Sequence, residues 1–451
     1  MSVDVVLVYP YFNEEMDRSV FRYPPLGLGY LASVLRANGI SVGLVDCTFS
    51  SFETAVAAIR RTHPRIVGIY SMVTINHHAV ALAKQLREEV ELLVAGGPLP
   101  TLVPDEFLDS FDVVVLGEGE ETFLQLTQRF LQGQPWHQIA GIARLEGHGT
   151  VEVATRRPFV RSLDALPFPA RDLYPNAQYQ WYWRTFHRYT ASSMISTRGC
   201  PYLCDFCSNP VFGCSYRERS PSNVVAEMQQ IRDLGYDRVF FADDCFTQNP
   251  RRVAAICQLL IRQRADIEWM CLSRADRLSE ELATQMRRAG CRRVFFGIES
   301  GNQRMLGIMR KQITPALAQQ AVETAHRTGI EVGGFFILGY PGETDNSLLD
   351  TLRFSSRLPL DYLSYSFPYP ILGTGLYSKV RNQINRPEWR KQRGSATRHD
   401  LLFRGAFSPG KLRFAMYKGL AQHWLRRRGR GGRAMAEVFE RVTDRILQAL
   451  R

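Results

Sequence analysis

No stretch of this chain reaches the roughly 18 consecutive apolar residues that a membrane-spanning helix needs. The start, "MSVDVVLVYPYF", lacks the basic segment, apolar run and small-residue cleavage site of a secretory leader. A cytoplasmic location is therefore expected. Cysteine is scarce in the first half: only Cys47 precedes residue 200. The nine cysteines form no evenly paired pattern, and in a reducing compartment that favours a metal or redox site over a disulfide framework. No internal repeat of solenoid period is found.

What is present points to a globular protein of two or three domains. The chain has 451 residues, 45% hydrophobic and 22% charged. Its net charge of +12 suits nucleic acid, a membrane surface or an acidic ligand. The excess is partly local, in "RNQINRPEWRKQRGSATRH" and "RRRGRGGR", and such runs are read first as a solvated arginine-rich surface.

Residues 1–138 alternate strands with helices. "VDVVLVY", "ISVGLVD", "RIVGIYS", "ELLVAGG" and "DVVVLGEGEE" read as buried strands. "PLGLGYLASVLRANG", "ETAVAAIRRTHP" and "HHAVALAKQLREEV" read as helices, the first ended by Gly39. Five such strands predict an α/β doubly wound parallel sheet in flavodoxin-like order. Residues 139–190 break the rhythm with a predicted hairpin and a proline-rich surface linker.

A second alternation runs over 191–370. Its helices open on Ser220-Pro221, Ser279 and Thr314-Pro315. Six strand–helix units are too few for a closed eight-stranded barrel, so a partial (β/α)6 barrel is expected, with its site on the loops at the C-terminal strand ends. Residues 371–451 form a basic, mainly helical region, with helices expected at "SPGKLRFAMYKGLAQHWLRRRG" and "GRAMAEVFERVTDRILQALR".

The first strand of the barrel leads into "TRGCPYLCDFCSN", which places Cys200, Cys204 and Cys207 in a C-x3-C-x2-C array. Structural zinc needs four ligands, and Cys214 or His187 would have to complete the set. An iron–sulfur cluster held by three cysteines instead keeps one iron open to a further ligand. Cys47, Cys257, Cys271 and Cys291 read as buried small hydrophobes, while Cys214 and Cys245 lie on strand-end loops near the array.

This array resembles that of the radical S-adenosylmethionine (SAM) superfamily, including the aromatic Phe206 before the last cysteine. The resemblance implies a 4Fe–4S cluster on Cys200, Cys204 and Cys207, with SAM on the open iron. It also implies cleavage of SAM to a 5′-deoxyadenosyl radical that abstracts hydrogen from an unreactive carbon. Further motifs follow in order. "VFFADDCF" resembles the strand that binds the SAM amino group, with Asp243 and Asp244 in place of a usual Gly-Glu. "CLSRAD" implies that Arg274 faces the SAM carboxylate. "VFFGIESGN" implies Glu299 and Ser300 near the ribose, and "GGFFILGYPGET" implies packing beside the adenine.

The first domain resembles the cobalamin-binding domain that precedes many radical SAM domains. "PPLGLGYLASVLRANGISVGLVD", "GGPLPT" and "GEGEET" carry the likeness. Ser71, Gly96, Gly97, Gly117, Glu118 and Gly119 are the implied cofactor contacts. Leu99 stands where relatives often have histidine, and no Asp-x-His-x-x-Gly motif occurs, so cobalamin is expected without a histidine on its lower face. His77 and His78 are expected to open a helix rather than ligate cobalt.

Together the two resemblances imply a cobalamin-dependent radical SAM enzyme, a methyltransferase acting on an unactivated carbon of a small molecule. A non-methylating reaction of the anaerobic magnesium-protoporphyrin monomethyl ester cyclase kind is the alternative. A low-potential electron donor such as flavodoxin or ferredoxin is implied. An RNA-modifying enzyme of the methylthiotransferase kind would carry extra N-terminal cluster cysteines, so no nucleic-acid partner is expected. "YWRTF" and "EWRKQR" offer Trp and Arg side chains for a planar or anionic substrate.

Overall fold

The computed structural model describes residues 2–12, 19–146, 149–207, 213–384 and 401–450. Strands β1 (Val5–Tyr9), β2 (Val42–Asp46), β3 (Ile66–Tyr70), β4 (Leu92–Gly96) and β5 (Val113–Val115) form the parallel part of one sheet. The strand order is β2-β1-β3-β4-β5, the flavodoxin-like order expected. Period-two geometry explains the near-continuous apolar strands. Val6 and Val8 enter a core on one face, and Val5 and Leu7 enter another on the opposite face.

The hairpin expected between the domains is the edge of this sheet. Strands β6 (Ile142–Leu145) and β7 (Val151–Val153) extend it antiparallel from β5. The following segment is less superficial than its prolines suggested. Arg171 is buried and pairs with the buried Glu227, with Nη2 2.5 Å from Oε1. The helix Asn176–His187 buries Tyr179, Tyr182 and Trp183.

The second sheet contains β8 (Ala191–Met194), β11 (Arg238–Phe241), β12 (Glu268–Ser273), β13 (Cys291–Glu299), β14 (Glu331–Ile337) and β15 (Tyr362–Ser366), all parallel and in sequence order. Its two edge strands do not pair, so the barrel is open. The short strands β9 (Thr197–Arg198) and β10 (Arg217–Glu218) pair antiparallel across the cysteine loop. The outer face of the barrel carries the largest core. The inner face carries Phe240, Met270 and Phe295 above the ion pairs Arg238–Glu268 and Arg293–Glu331.

The helix starts follow the capping residues. The side chains of Ser220, Ser279, Thr314 and Ser408 each accept a backbone N–H of the first turn, satisfying a donor that the helix leaves open. At the C-terminus, helices Pro409–Arg426 and Gly429–Ala449 pack on each other and on Asp345–Arg357.

Candidate active site between the two sheets

The cysteine loop begins with a glycine that no other residue replaces cheaply. Gly199 has φ +81°, and a Cβ there would lie 2.1 Å from the Ser215 carbonyl oxygen. Cys200 is buried, and Cys204 and Cys207 are partly exposed. Between them Asp205 fastens the loop. Its N–H donates to the Met309 carbonyl at 2.9 Å, and its own carbonyl accepts the Leu376 N–H at 2.9 Å. Its carboxylate accepts Tyr340 Oη and Lys379 Nζ, each at 2.7 Å. Gly375 makes room for it, since a Cβ there would lie 1.9 Å from Asp205 Oδ1. The C-terminal region thus reaches the site through residues 375–379.

Two buried cations converge on this loop. Arg274 lies with its guanidinium carbon 3.6 Å from the Tyr202 ring centre, and its Nη1 is 3.9 Å from Cys204 Sγ. Its Nε donates to Asp276 at 2.9 Å and its Nη2 to the Lys311 carbonyl at 2.9 Å. Lys311 Nζ pairs with Glu299 at 2.9 Å and sits 5.9 Å from the centre of the Phe206 ring. Burial works against both charges, but carboxylate partners (Asp276 and Glu299) outweigh it, and both groups are held above their usual range. Burial also pushes the Cys200 thiol up, to about 11.

The donor set fits a cluster better than a lone ion. His187 faces the Ser19 carbonyl at 3.2 Å, in an aromatic nest with Trp183 and Tyr189, and Cys214 is exposed. Three thiols in eight residues, on a loop fixed at several points and flanked by two cations, suit an anionic iron–sulfur group.

The strand-end residues divide into two kinds. Asp243 is buried and serves the backbone, accepting the N–H of Ser196 at 2.6 Å and of Thr197 at 3.1 Å. Ser300 is likewise turned inward, 2.9 Å from Thr351 Oγ1. Asp244 is exposed on a cavity wall, and no hydrogen-bond donor among the described residues meets its carboxylate. The surrounding protein and then Asp243 raise its pKa.

That cavity, about 390 Å³, lies between the two sheets. Gly96, Gly97, Gly117 and Gly119 line it from the first domain, and Ile195, Gly199 and Asp244 from the barrel. A Cβ on Gly96 or Gly117 would meet no heavy atom within 4 Å, so these glycines hold open a cradle that a side chain would fill. Gly97 is different: at φ +111° its Cβ would lie 2.5 Å from the Ser71 carbonyl oxygen. Ser71 is fully buried, its N–H donating to the Gly96 carbonyl at 2.7 Å, so it supports the wall.

Glu118 lines the same cavity, with its carboxylate already engaged. It pairs with Arg217 at 2.7 Å and Arg198 at 3.3 Å, and it accepts the Val160 N–H at 2.8 Å. Burial raises its pKa, but the Arg217 hydrogen bond and the Arg198 charge prevail and hold it below the usual value. Arg198, two residues before Cys200, also pairs with Glu120 at 2.5 Å. The cysteine loop is therefore clamped to the first domain.

Leu99 is buried. His77 and His78 stand in the first turn of the helix Asn76–Leu86, in a separate groove. Of the residues offered as substrate contacts, Trp183 is packing: it is fully buried, 5.1 Å from Tyr23, and its indole N–H donates to the Arg22 carbonyl. "EWRKQR" lies outside the described residues. Lys311 lies outside the spaced motifs, and Asp205 occupies a variable position inside the cysteine array, so the sequence reading singled out neither; both act through the folded loop.

The Radical SAM superfamily pattern matches residues 194–355, and the B12 binding domain pattern matches residues 16–127. An uncharacterized methyltransferase of Pyrococcus horikoshii is 34% identical over 402 residues, covering 86% of this chain and 85% of that one. The chain belongs to the cobalamin-binding radical SAM enzymes. The anaerobic magnesium-protoporphyrin IX monomethyl ester cyclase of Cereibacter sphaeroides is 26% identical, over 84% of this chain and 64% of that protein. The radical SAM methyltransferase TsrM of Kitasatospora setae, solved with cobalamin and a [4Fe-4S] cluster bound, superposes with a TM-score of 0.70. It is 20% identical, over 85% of this chain and 78% of that one, and shares the fold. No helix among the described residues is long and apolar enough to cross a membrane.

Proposed function

We propose that this radical SAM enzyme methylates an unactivated carbon of a small molecule bound between its two sheets. The observation that carries this reading is the single cavity shared by Gly96 and Gly117 on one side and Asp244 and Gly199 on the other. A group held by the first domain thereby faces a group held at the barrel mouth. A 4Fe–4S cluster on Cys200, Cys204 and Cys207 would supply the electron for SAM cleavage, and a cobalamin in the glycine-lined part of the cavity would carry the methyl group.

The residues have distinct tasks in this reading. Cys200, Cys204 and Cys207 hold the cluster, and Asp205 fixes their loop. Arg274 and Lys311 offset its negative charge. Asp244, with no donor of its own, accepts the ammonium group of SAM. Glu299 keeps Lys311 in place and stands near the ribose, and Phe206 closes the loop's inner side. Gly96, Gly97, Gly117 and Gly119 admit the corrin face, while Glu118 acts as the clamp that sets the two halves at a fixed spacing. Asp243, Ser71 and Ser300 support the walls. An external low-potential donor such as flavodoxin or ferredoxin provides the electron.

The test is anaerobic turnover with SAM deuterated at its methyl group, against a panel of small apolar and heteroaromatic acceptors. Methyltransfer predicts a labelled product together with deoxyadenosine and adenosylhomocysteine. Deoxyadenosine formed on an acceptor with no label transferred would favour a cyclase-like oxidation instead.

A further inference from the structure

The helix Gly429–Ala449 carries an apolar stripe that nothing among the described residues covers. Met435, Val438, Val442 and Ile446 recur at spacings of three and four, which places them along one side of the helix. They are 62%, 54%, 54% and 44% exposed. Isolated exposed apolar residues need no explanation, but a continuous helical row does.

The charges on this helix are sorted. Its three acidic residues are Glu437, Glu440 and Asp444. Two of these point inward. Glu440 pairs with Arg426 at 2.9 Å and Arg357 at 3.2 Å, and Asp444 pairs with Lys418 at 2.7 Å and also with Arg353. The basic residues Arg430, Arg433, Arg441 and Arg445 are all exposed, against the single outward acid Glu437. On the adjoining helix Pro409–Arg426, Trp424 is 53% exposed and Arg428 stacks on it at 3.5 Å.

We propose that this face docks reversibly on an anionic phospholipid surface. An apolar row about the depth of one side chain, with Arg441 and Arg445 along one flank, matches the acyl boundary below and lipid phosphates beside it. Arginine suits phosphate through its planar, forked donors. A second copy of the chain fits less well. Arg441 and Arg445 follow the stripe along one flank, so a face-to-face two-fold arrangement would bring the arginines of the two copies together with no outward carboxylate but Glu437 to offset them. The inward use of Glu440 and Asp444 removes the carboxylates that would compensate. A contact of one amphipathic helix and a few cations gives peripheral, salt-sensitive binding.

The experiment is flotation of the full-length protein with vesicles of phosphatidylcholine alone, or with added phosphatidylglycerol, at low and high salt. Two double variants are run beside it: Val438→Ser/Val442→Ser and Arg441→Gln/Arg445→Gln. All four positions are exposed, and circular dichroism checks that both variants are folded. The proposal predicts that the protein floats with the anionic vesicles only, that salt releases it, and that each double variant weakens partition by about tenfold or more. Failure to float, or flotation that neither variant changes, overturns it. A concentration-dependent dimer that Val438→Ser/Val442→Ser dissociates, with no vesicle binding, overturns it in favour of self-association.

Discussion

Lys311 Nζ lies 2.9 Å from Glu299 Oε1, and both side chains are buried beside the cysteine loop. Glu299 adopts φ +71°, a left-handed backbone that a non-glycine residue takes at a cost of about 1–3 kcal/mol. The pair is thus built at some expense, in the place where Cys204 and Arg274 meet.

Removing one partner should be worse than removing both. Lys311→Met leaves a buried carboxylate uncompensated, and about 3–5 kcal/mol of stability is expected to go. Lys311→Met/Glu299→Gln should recover a substantial part of that loss. Urea unfolding of the two variants and the wild type measures both values. Equal stability of the single variant and the wild type would contradict the buried pair.

The neighbouring glycines Gly96 and Gly97 should respond differently. Gly96→Leu extends a side chain into open cavity with no positive φ to strain, so the fold should survive while cobalamin binding falls sharply. Gly97→Ala forces a Cβ towards the Ser71 carbonyl oxygen at φ +111°, and a loss of about 1–3 kcal/mol is expected. Thermal melting and equilibrium binding of hydroxocobalamin separate the two effects. Wild-type affinity in Gly96→Leu would show that the corrin lies elsewhere.

Glu343 gives the fold a pH dependence of definite sign. Burial raises its pKa from 4.5 to about 8, despite N–H groups from Gly339 and Tyr340 that favour the anion. The folded chain therefore keeps a proton that the unfolded chain releases above pH 4.5. This contribution to stability is full below that value, falls as pH rises through the window, and is gone above about pH 8. Glu343→Gln should flatten that part of the curve. The difference between the two proteins, followed by urea unfolding from pH 5 to 9, should shift steadily in the variant's favour, and a constant difference would refute the assignment.

How far the sequence spoke depended on the range of the interactions. Strand order, the open six-stranded barrel and the helix starts at Ser220, Ser279 and Thr314 were legible because local pattern and capping chemistry decide them. The cysteine array was legible for the same reason: eight residues contain it. The hairpin β6–β7 was recognised as a hairpin, but its union with the first sheet depends on pairing with β5. Glu118 was singled out as a cofactor contact through the likeness of "GEGEET" to the cobalamin-binding family, while its partner Arg217 lies 99 residues away. Lys311 and Asp205 were missed because their meaning appears only when the loop closes on β13 and on residues 375–379.

The central claim is that one cavity serves a cluster-bound SAM and a cobalamin together. It is tested most directly by reconstituting the protein anaerobically with iron, sulfide and hydroxocobalamin, adding SAM and reductant, and counting bound cobalamin and released deoxyadenosine in the same sample. The account predicts about one cobalamin per chain in the wild type and in Cys204→Ala, with deoxyadenosine formed by the wild type alone. Deoxyadenosine formation that persists in Cys204→Ala, or that proceeds with no cobalamin retained, would contradict it.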